Sequence, residues 1–341
     1  MEIELTAEQR AFRESCDKLA AHLASRWHRG RGPHDVGPPD PDETTWSRVA
    51  EAGWLAMRLR EENGGAEAGA VDMMILAEQL GYHAVAAPVL GTVIAAEQLQ
   101  SWGAPSGLLE EIAEGGRRLA PALTPDLTVL ADSAGSGALA WDAAGADAAV
   151  IPATGVAHTL GSPVPFADQT RAVRPLGEPA ETIPSLTAPD GETATRTTAF
   201  ALSLLVADLL GTMQAALDAA LDHARTRVQF GAPVGSFQAV QQLLADSHVL
   251  TEACRSACWY AAWAVDALPG DEALRAARIA KAYASRSAVE VCENAIQVFG
   301  GIGMTWEAPA HIWLRRAHAA RAAFGDEHHH EAVIATEFSG S

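Results

Sequence analysis

Two stretches combine residue types that suit binding of a nucleotide phosphate. Arg227-Val228-Gln229-Phe230-Gly231-Ala232-Pro233-Val234-Gly235-Ser236-Phe237-Gln238 sets a guanidinium and two amides around a turn. Gln297-Val298-Phe299-Gly300-Gly301-Ile302-Gly303-Met304-Thr305 repeats the theme further on. The first follows a long Ala/Leu-rich stretch, which Gly231 and Pro233 end before another helix starts near Phe237. The second closes an Ala-rich helix in a Gly-Gly-Ile-Gly turn, where missing Cβ atoms admit a ligand or another backbone. Exposed peptide groups at a helix end, beside Arg and Gln, suit a pyrophosphate or an adenine edge. Each turn alone also reads as a plain helix-helix connection.

Proton chemistry needs a carboxylate held away from water. Asp208 lies inside the apolar run Leu205-Val206-Ala207-Asp208-Leu209-Leu210-Gly211, where a carboxylate is costly unless paired or functional. Two readings stand: a catalytic base, or a structural Asp on a part-solvated face or paired with an Arg of a neighbouring helix. Asp326 and Glu327 are secondary candidates. Consecutive helical residues diverge by about 100°, so His328-His329-His330 cannot share one metal ion, and a solvated face is expected. His318 and Arg321 read as part of a basic helix face. Cys254 and Cys258 share a face, but no His or Cys pair follows at zinc spacing, so they read as small buried residues.

These groups need helices to hold them. Thr6-Ala7-Glu8-Gln9 is a capping box, and a helix follows to about residue 26. A Pro/Gly/Asp loop over 30–42 leads to helices over 44–52, 70–82, 86–102 and 108–115. From residue 119 the texture changes: 119–123, 127–131, 137–141, 148–151 and 170–176 are short runs with strand formers, broken by Gly, Pro and Asp. Helical patterning then resumes over 197–227, 237–268, 271–299, 308–324 and 327–337, which suggests an antiparallel bundle. The expected fold is mainly α with a small β domain: a helical domain over 1–117, a β domain over 118–190 and a four-helix bundle domain over 191–341.

At 341 residues the chain fits two or three packed domains. A formal charge of −19 argues against nucleic acid or an anionic membrane as partner. Four cysteines and a start without signal-peptide character fit a reducing cytoplasm. The longest apolar stretch, 199–221, is interrupted by Ser203, Asp208, Thr212, Gln214 and Asp218, so it reads as a core helix rather than a membrane span.

In their order and spacing the two turns resemble the Arg-x-x-Phe-Gly…Gln and Gln-x-x-Gly-Gly-x-Gly turns of the acyl-CoA dehydrogenase family. Glu61-Glu62-Asn63-Gly64-Gly65 and Ala87-Pro88-Val89-Leu90 look like that family's amino-terminal domain. The resemblance implies a helical domain, a β domain and a four-helix bundle. It also implies FAD shared across a subunit interface, held by Arg227, Val228, Gln229, Phe237, Gln238, Gln297, Val298, Phe299, Gly300 and Gly301. Thr124, in Ala122-Leu123-Thr124-Pro125, corresponds to a flavin-ring contact, whereas Trp141 stands in the wrong context to be another. The family's reaction removes an α-proton from an acyl thioester while hydride leaves the β-carbon. Its usual Glu-Gly-Thr base turn reads Phe324-Gly325-Asp326 here, so that base is lost. Members of the isovaleryl-CoA dehydrogenase kind place the base on the long helix, at the position of Asp208. The CoA-contacting Arg of the family falls at Leu202. The resemblance therefore implies dehydrogenation of a CoA- or carrier-bound acyl group with Asp208 as base, in a homo- or hetero-oligomer passing electrons to an electron-transfer flavoprotein. The rival is a non-catalytic subunit completing the flavin site of a companion chain, and a third reading is another biosynthetic oxidation on the same scaffold.

Overall fold

The computed structural model describes residues 4–27, 43–135 and 137–339. The amino-terminal part is helical: α1 (Ala7–Trp27), α2 (Glu43–Glu51), α3 (Ala70–Tyr82), α4 (Val89–Ser101) and α5 (Ser106–Ala113). The capping box forms as read, Gln9 N donating to Thr6 Oγ1 at 3.1 Å and Thr6 N to Gln9 Oε1 at 3.2 Å. The loop expected over 30–42 lies outside the described residues.

Five strands follow: β1 (Leu119–Leu123), β2 (Leu139–Ala140), β3 (Ala148–Ile151), β4 (Val156–Leu160) and β5 (Arg174–Thr182). They close into a small barrel in the order β1-β2-β5-β4-β3, with β1 and β3 parallel and the other pairs antiparallel. Two expected strands change. Residues 127–131 form a loop with only an isolated Leu123–Leu130 bridge, because Asp126 accepts from the Thr124 and Thr128 hydroxyls and folds the segment on itself. The strand read at 170–176 starts later, at Arg174, because Asp168 Oδ1 takes the Thr170 amide at 2.7 Å and turns the chain first. β4 was not anticipated; Val156-Ala157-His158-Thr159-Leu160 offers a mixed run of strand formers, and pairing with β3 and β5 is what holds it extended.

The remainder is built around α6 (Gly191–Thr226), which packs against α3 and against α7 (Gln238–Ala267), α8 (Gly270–Phe299) and α9 (Ala310–Ala322); α10 (Glu327–Ser339) lies on α8. α6 starts earlier than the expected residue 197, because Asp190 accepts the Thr193 amide at 2.7 Å as an N-cap. Thr195, Thr197 and Thr198 then bond back to carbonyls of the preceding turn, so the threonine-rich start is absorbed into the helix. α6 is long and apolar enough to cross a membrane by length and composition, but its apolar window is 94% buried inside the protein, as a core helix would be. α3 crosses it at contact distance. A Cβ added at Gly211 would lie 1.9 Å from the Glu78 carbonyl oxygen, and one at Gly81 2.1 Å from that of Asp208. The two glycines let the backbones touch.

Candidate functional site

The first turn is a tight hairpin of β6 (Val228–Gln229) and β7 (Ala232–Pro233), with Gln229 opposite Ala232. Its two loop residues, Phe230 and Gly231, have φ of 52° and 80°, as a type I′ turn requires. Glycine adopts that backbone freely, whereas Phe230 is strained there, and its ring is 95% exposed. Arg227, Val228, Gln229, Phe237 and Gln238 are also exposed, and the Phe230 and Phe237 rings meet edge to face at 6.2 Å.

The second turn leaves α8 through Gly300 at φ 66° and continues as a single 3₁₀ turn over Gly300–Met304. A Cβ added at Gly231, Gly300 or Gly301 would meet nothing within 4 Å, whereas one at Gly303 would strike Phe299 Cβ at 2.8 Å. The first three therefore face open space, and Gly303 is needed for packing. Gln297, Gly300 and Gly301 are exposed and Phe299 is half-buried. Val298 is 7% exposed and faces the core, so its side chain stands apart from the others read as cofactor contacts. The His223 ring at the end of α6 stacks on Phe299, centroids 4.5 Å apart. This contact brings the end of α6, which leads into the first turn, beside the end of α8, which leads into the second, and the two turns make up a rim.

The positions where a proton would move lie elsewhere, Asp208 at the middle of α6 and Phe324 just after α9. Phe324 is 3% exposed, meets Trp141 edge to face at 5.7 Å, and donates its amide to the Leu127 carbonyl at 2.7 Å. The Thr124 hydroxyl, read as a flavin contact, donates to Asp126 Oδ1 at 2.6 Å and accepts the Val129 amide at 3.3 Å. It is occupied within its own loop.

Asp208 does not face an open pocket. Its Oδ1 accepts from Arg171 at 2.8 Å and from Arg316. Arg171 also pairs with Asp142 Oδ2 at 3.1 Å and, more loosely, with Asp168 at 3.8 Å. Asp142 Oδ2 takes the Gly91 amide at 2.9 Å near the start of α4. The terminal Arg316 nitrogens also reach Thr170 Oγ1 and the Val85 and Leu80 carbonyls. All five charged groups are at most 2% exposed. Burial pushes the Asp142 carboxyl above the usual range, with Arg171 opposing. For Arg171 burial works against the charge, but Asp208, Asp142 and Asp168 outweigh it and raise its pKa. Of the two sequence readings of Asp208, the geometry matches the one that pairs it with an Arg of a neighbouring helix. Arg171, Asp142 and Asp168 were missed, and Arg316 was passed over within a basic helix face.

The histidine run also departs from expectation. His328 is exposed, but His330 is 2% exposed, so α10 buries one of the three instead of presenting a solvated face. All four cysteines are free and buried, and burial pushes the Cys16 and Cys254 thiols up to about 12.

Residues 6–106 match the model of the acyl-CoA dehydrogenase N-terminal domain, and residues 193–338 that of the acyl-CoA dehydrogenase C-terminal domain. The chain is 33% identical over 320 residues to acyl-CoA dehydrogenase IpdE2 of Mycobacterium tuberculosis, covering 92% of each. It belongs to the acyl-CoA dehydrogenase family. Among solved structures it is similar to butyryl-CoA dehydrogenase from Megasphaera elsdenii (TM-score 0.78, 21% identity, covering 99% of this chain and 100% of that one). It is also similar to the ChsE4-ChsE5 complex from Mycobacterium tuberculosis (TM-score 0.76, 21% identity, all of both chains). The fold is that of the acyl-CoA dehydrogenases, flavin oxidoreductases acting on CH–CH groups with FAD as cofactor. The two ends of this family member fit that cofactor differently. The rim has open glycines and exposed Arg227, Gln229 and Gln297, as an adenosine pyrophosphate requires. The end bearing Thr124 and Phe324 is closed by their own contacts and does not fit a flavin ring.

Proposed function

We propose that this chain is one of two unlike subunits of a flavin-dependent acyl thioester dehydrogenase. It lends the rim at Arg227–Gln238 and Gln297–Gly301 to an FAD whose ring, acyl pocket and base belong to a companion chain. The observation that carries this reading is the fate of the two base positions. Phe324 cannot accept a proton, and the Asp208 carboxylate is spent on Arg171 and Arg316. The position of the rim supports it as well. Leu202, which lines one pocket together with Phe324, and His223 are on one helix at 21 residues' separation, so the rim stands about 30 Å from this chain's own Phe324 end, at 1.5 Å per residue. ChsE4-ChsE5, a complex of two chains, shares the fold. The reaction supported is α,β-dehydrogenation of a CoA- or carrier-bound acyl group, with electrons passed to an electron-transfer flavoprotein.

The test is purification of the chain alone and with an acyl-CoA dehydrogenase chain that keeps a carboxylate at the Phe324 position. The chain alone should be colourless. The complex should be yellow and bleach with an acyl thioester, and Arg227→Ala should release its flavin. Asp208 as base is the reading to adopt instead if the chain alone holds FAD and bleaches, and Asp208→Asn stops the bleaching with flavin retained.

A further inference from the structure

His223 stands where the two turns meet, although neither Arg227–Gln238 nor Gln297–Thr305 contains it. It lies half-buried in the last turn of α6, its ring tilted on that of Phe299. Its carbonyl accepts the Arg227 amide at 2.9 Å, so the residue that opens the hairpin hangs from the same turn. One residue thus touches the second turn with its ring and holds the first with its backbone. The charges around that ring are few. Asp222 and Arg225 share the turn but pair with each other in solvent at 3.3 Å, and Asp218, a turn back, accepts from Tyr82 and Gln214. Residues 228–245 carry no charged side chain, and neither do residues 294–306. Glu293, further back on α8, is exposed, and α9 turns Pro309, Ile312 and Trp313 towards Asp222. Arg227 is left as the charge the ring feels. Burial first, then Arg227, hold the His223 pKa below the usual imidazole value.

That dependence runs the other way once an anion is held. A pyrophosphate paired with Arg227 cancels the charge that disfavours the imidazolium and adds negative charge of its own. The carbonyls that end α6 favour a cation at the same place. Binding therefore raises the His223 pKa and takes up a proton, so affinity rises as pH falls through the bound-state value. We infer that His223 is the positioning residue of the rim: its ring seats the second turn against the first, and the charge it gains when Arg227 pairs with a pyrophosphate makes dinucleotide binding tighten in acid. The inference rests on the rim as a dinucleotide site and adds to it a residue that acts through Arg227 and Phe299.

The probe is ADP-ribose, whose pyrophosphate is a diester and does not itself titrate near neutral pH. Long-range proton–nitrogen NMR of the full chain with labelled histidine follows the ring, its signals being assigned by their loss in His223→Phe. Saturating ADP-ribose should raise the His223 midpoint by at least about half a unit, and Arg227→Gln should raise it without ligand. By linkage the Kd for ADP-ribose should then fall about threefold from roughly pH 8 to pH 5.5. His223→Phe keeps a ring on Phe299 and loses the charge, so it should bind as the wild type does at pH 8 and lose the pH dependence. His223→Ala loses both and should bind more weakly throughout. A midpoint that ADP-ribose leaves in place, the same pH dependence in His223→Phe, or wild-type affinity in His223→Ala would overturn the inference while leaving the rim a dinucleotide site. If neither the chain alone nor the two-chain complex bound ADP-ribose saturably, the reading of the rim would fall and the inference with it.

Discussion

Lys281 shows how much a single buried group can report. It is 0% exposed, and its ammonium donates to Ser285 Oγ at 3.0 Å, the Arg321 carbonyl at 3.0 Å and the Gly325 carbonyl at 2.7 Å. Burial lowers its pKa from 10.5 to about 7, with Asp326 and Glu327 opposing. The unfolded chain keeps that proton up to about 10.5 and the folded chain releases it near 7, so between those values the unfolded state binds more protons and stability rises with pH. Below about pH 7 the cost of burying the charge is carried in full. Over the whole window the effect is on the order of 5 kcal/mol. Urea unfolding should show stability of the wild type rising from pH 7 to 8.5, a rise that Lys281→Met lacks. The comparison belongs below pH 9, because the cysteine thiols and Tyr82, whose pKa values burial raises, reverse the slope above it. At Asp208 the charges are paired instead. Asp208→Asn takes from Arg171 and Arg316 their shared negative charge and should cost about 3–5 kcal/mol, read as a lower urea midpoint with an unchanged slope.

At the scale of elements, the contact between α3 and α6 is set by two missing Cβ atoms. Gly211→Ala would drive a methyl into the Glu78 carbonyl, and Gly81→Ala one into that of Asp208. Backbone on both sides cannot swing away, so each should cost at least the 1–3 kcal/mol of core overpacking. Gly301→Ala, facing open space, should leave the midpoint of the isolated chain within about 0.5 kcal/mol; thermal or urea melts of the three variants check this. The same elements explain what the sequence could reveal. Helices were legible because apolar spacing and local caps are short-range signals, and α3 has the expected bounds of 70–82. The glycine turns were legible for the same reason. The charge cluster was not, because Asp142, the Asp168–Arg171 loop, Asp208 and Arg316 are separate segments that only the assembled fold brings together. β4 was missed because its run of strand formers is short and interrupted by His158, and its pairing with β5 lies further along the chain. His330 was misread because three adjacent histidines show no face until α10 is seated on α8.

At the scale of the whole molecule, the question is what covers the rim. Phe230 at 95%, Met304 at 75% and Val228 at 55% exposure lie on or beside the two turns, and Phe230 keeps a strained backbone in return for which the isolated chain gains an edge-to-face contact with Phe237. Two copies of the chain would bring −19 against −19, so a less acidic companion is the better electrostatic match. Strain kept at an exposed aromatic is expected where the ring serves a contact made only in the assembly. Phe230→Gly separates the two effects by sign. Relieving the left-handed strain should leave the isolated chain as stable as before, or more stable by up to about 1–2 kcal/mol, as measured by urea unfolding. Removing an aromatic anchor should weaken the complex by about 2 kcal/mol, or some thirtyfold in Kd, as measured by calorimetric titration with the companion chain. If stability fell while the complex were unaffected, Phe230 would belong to the fold of this chain and the rim would need another explanation.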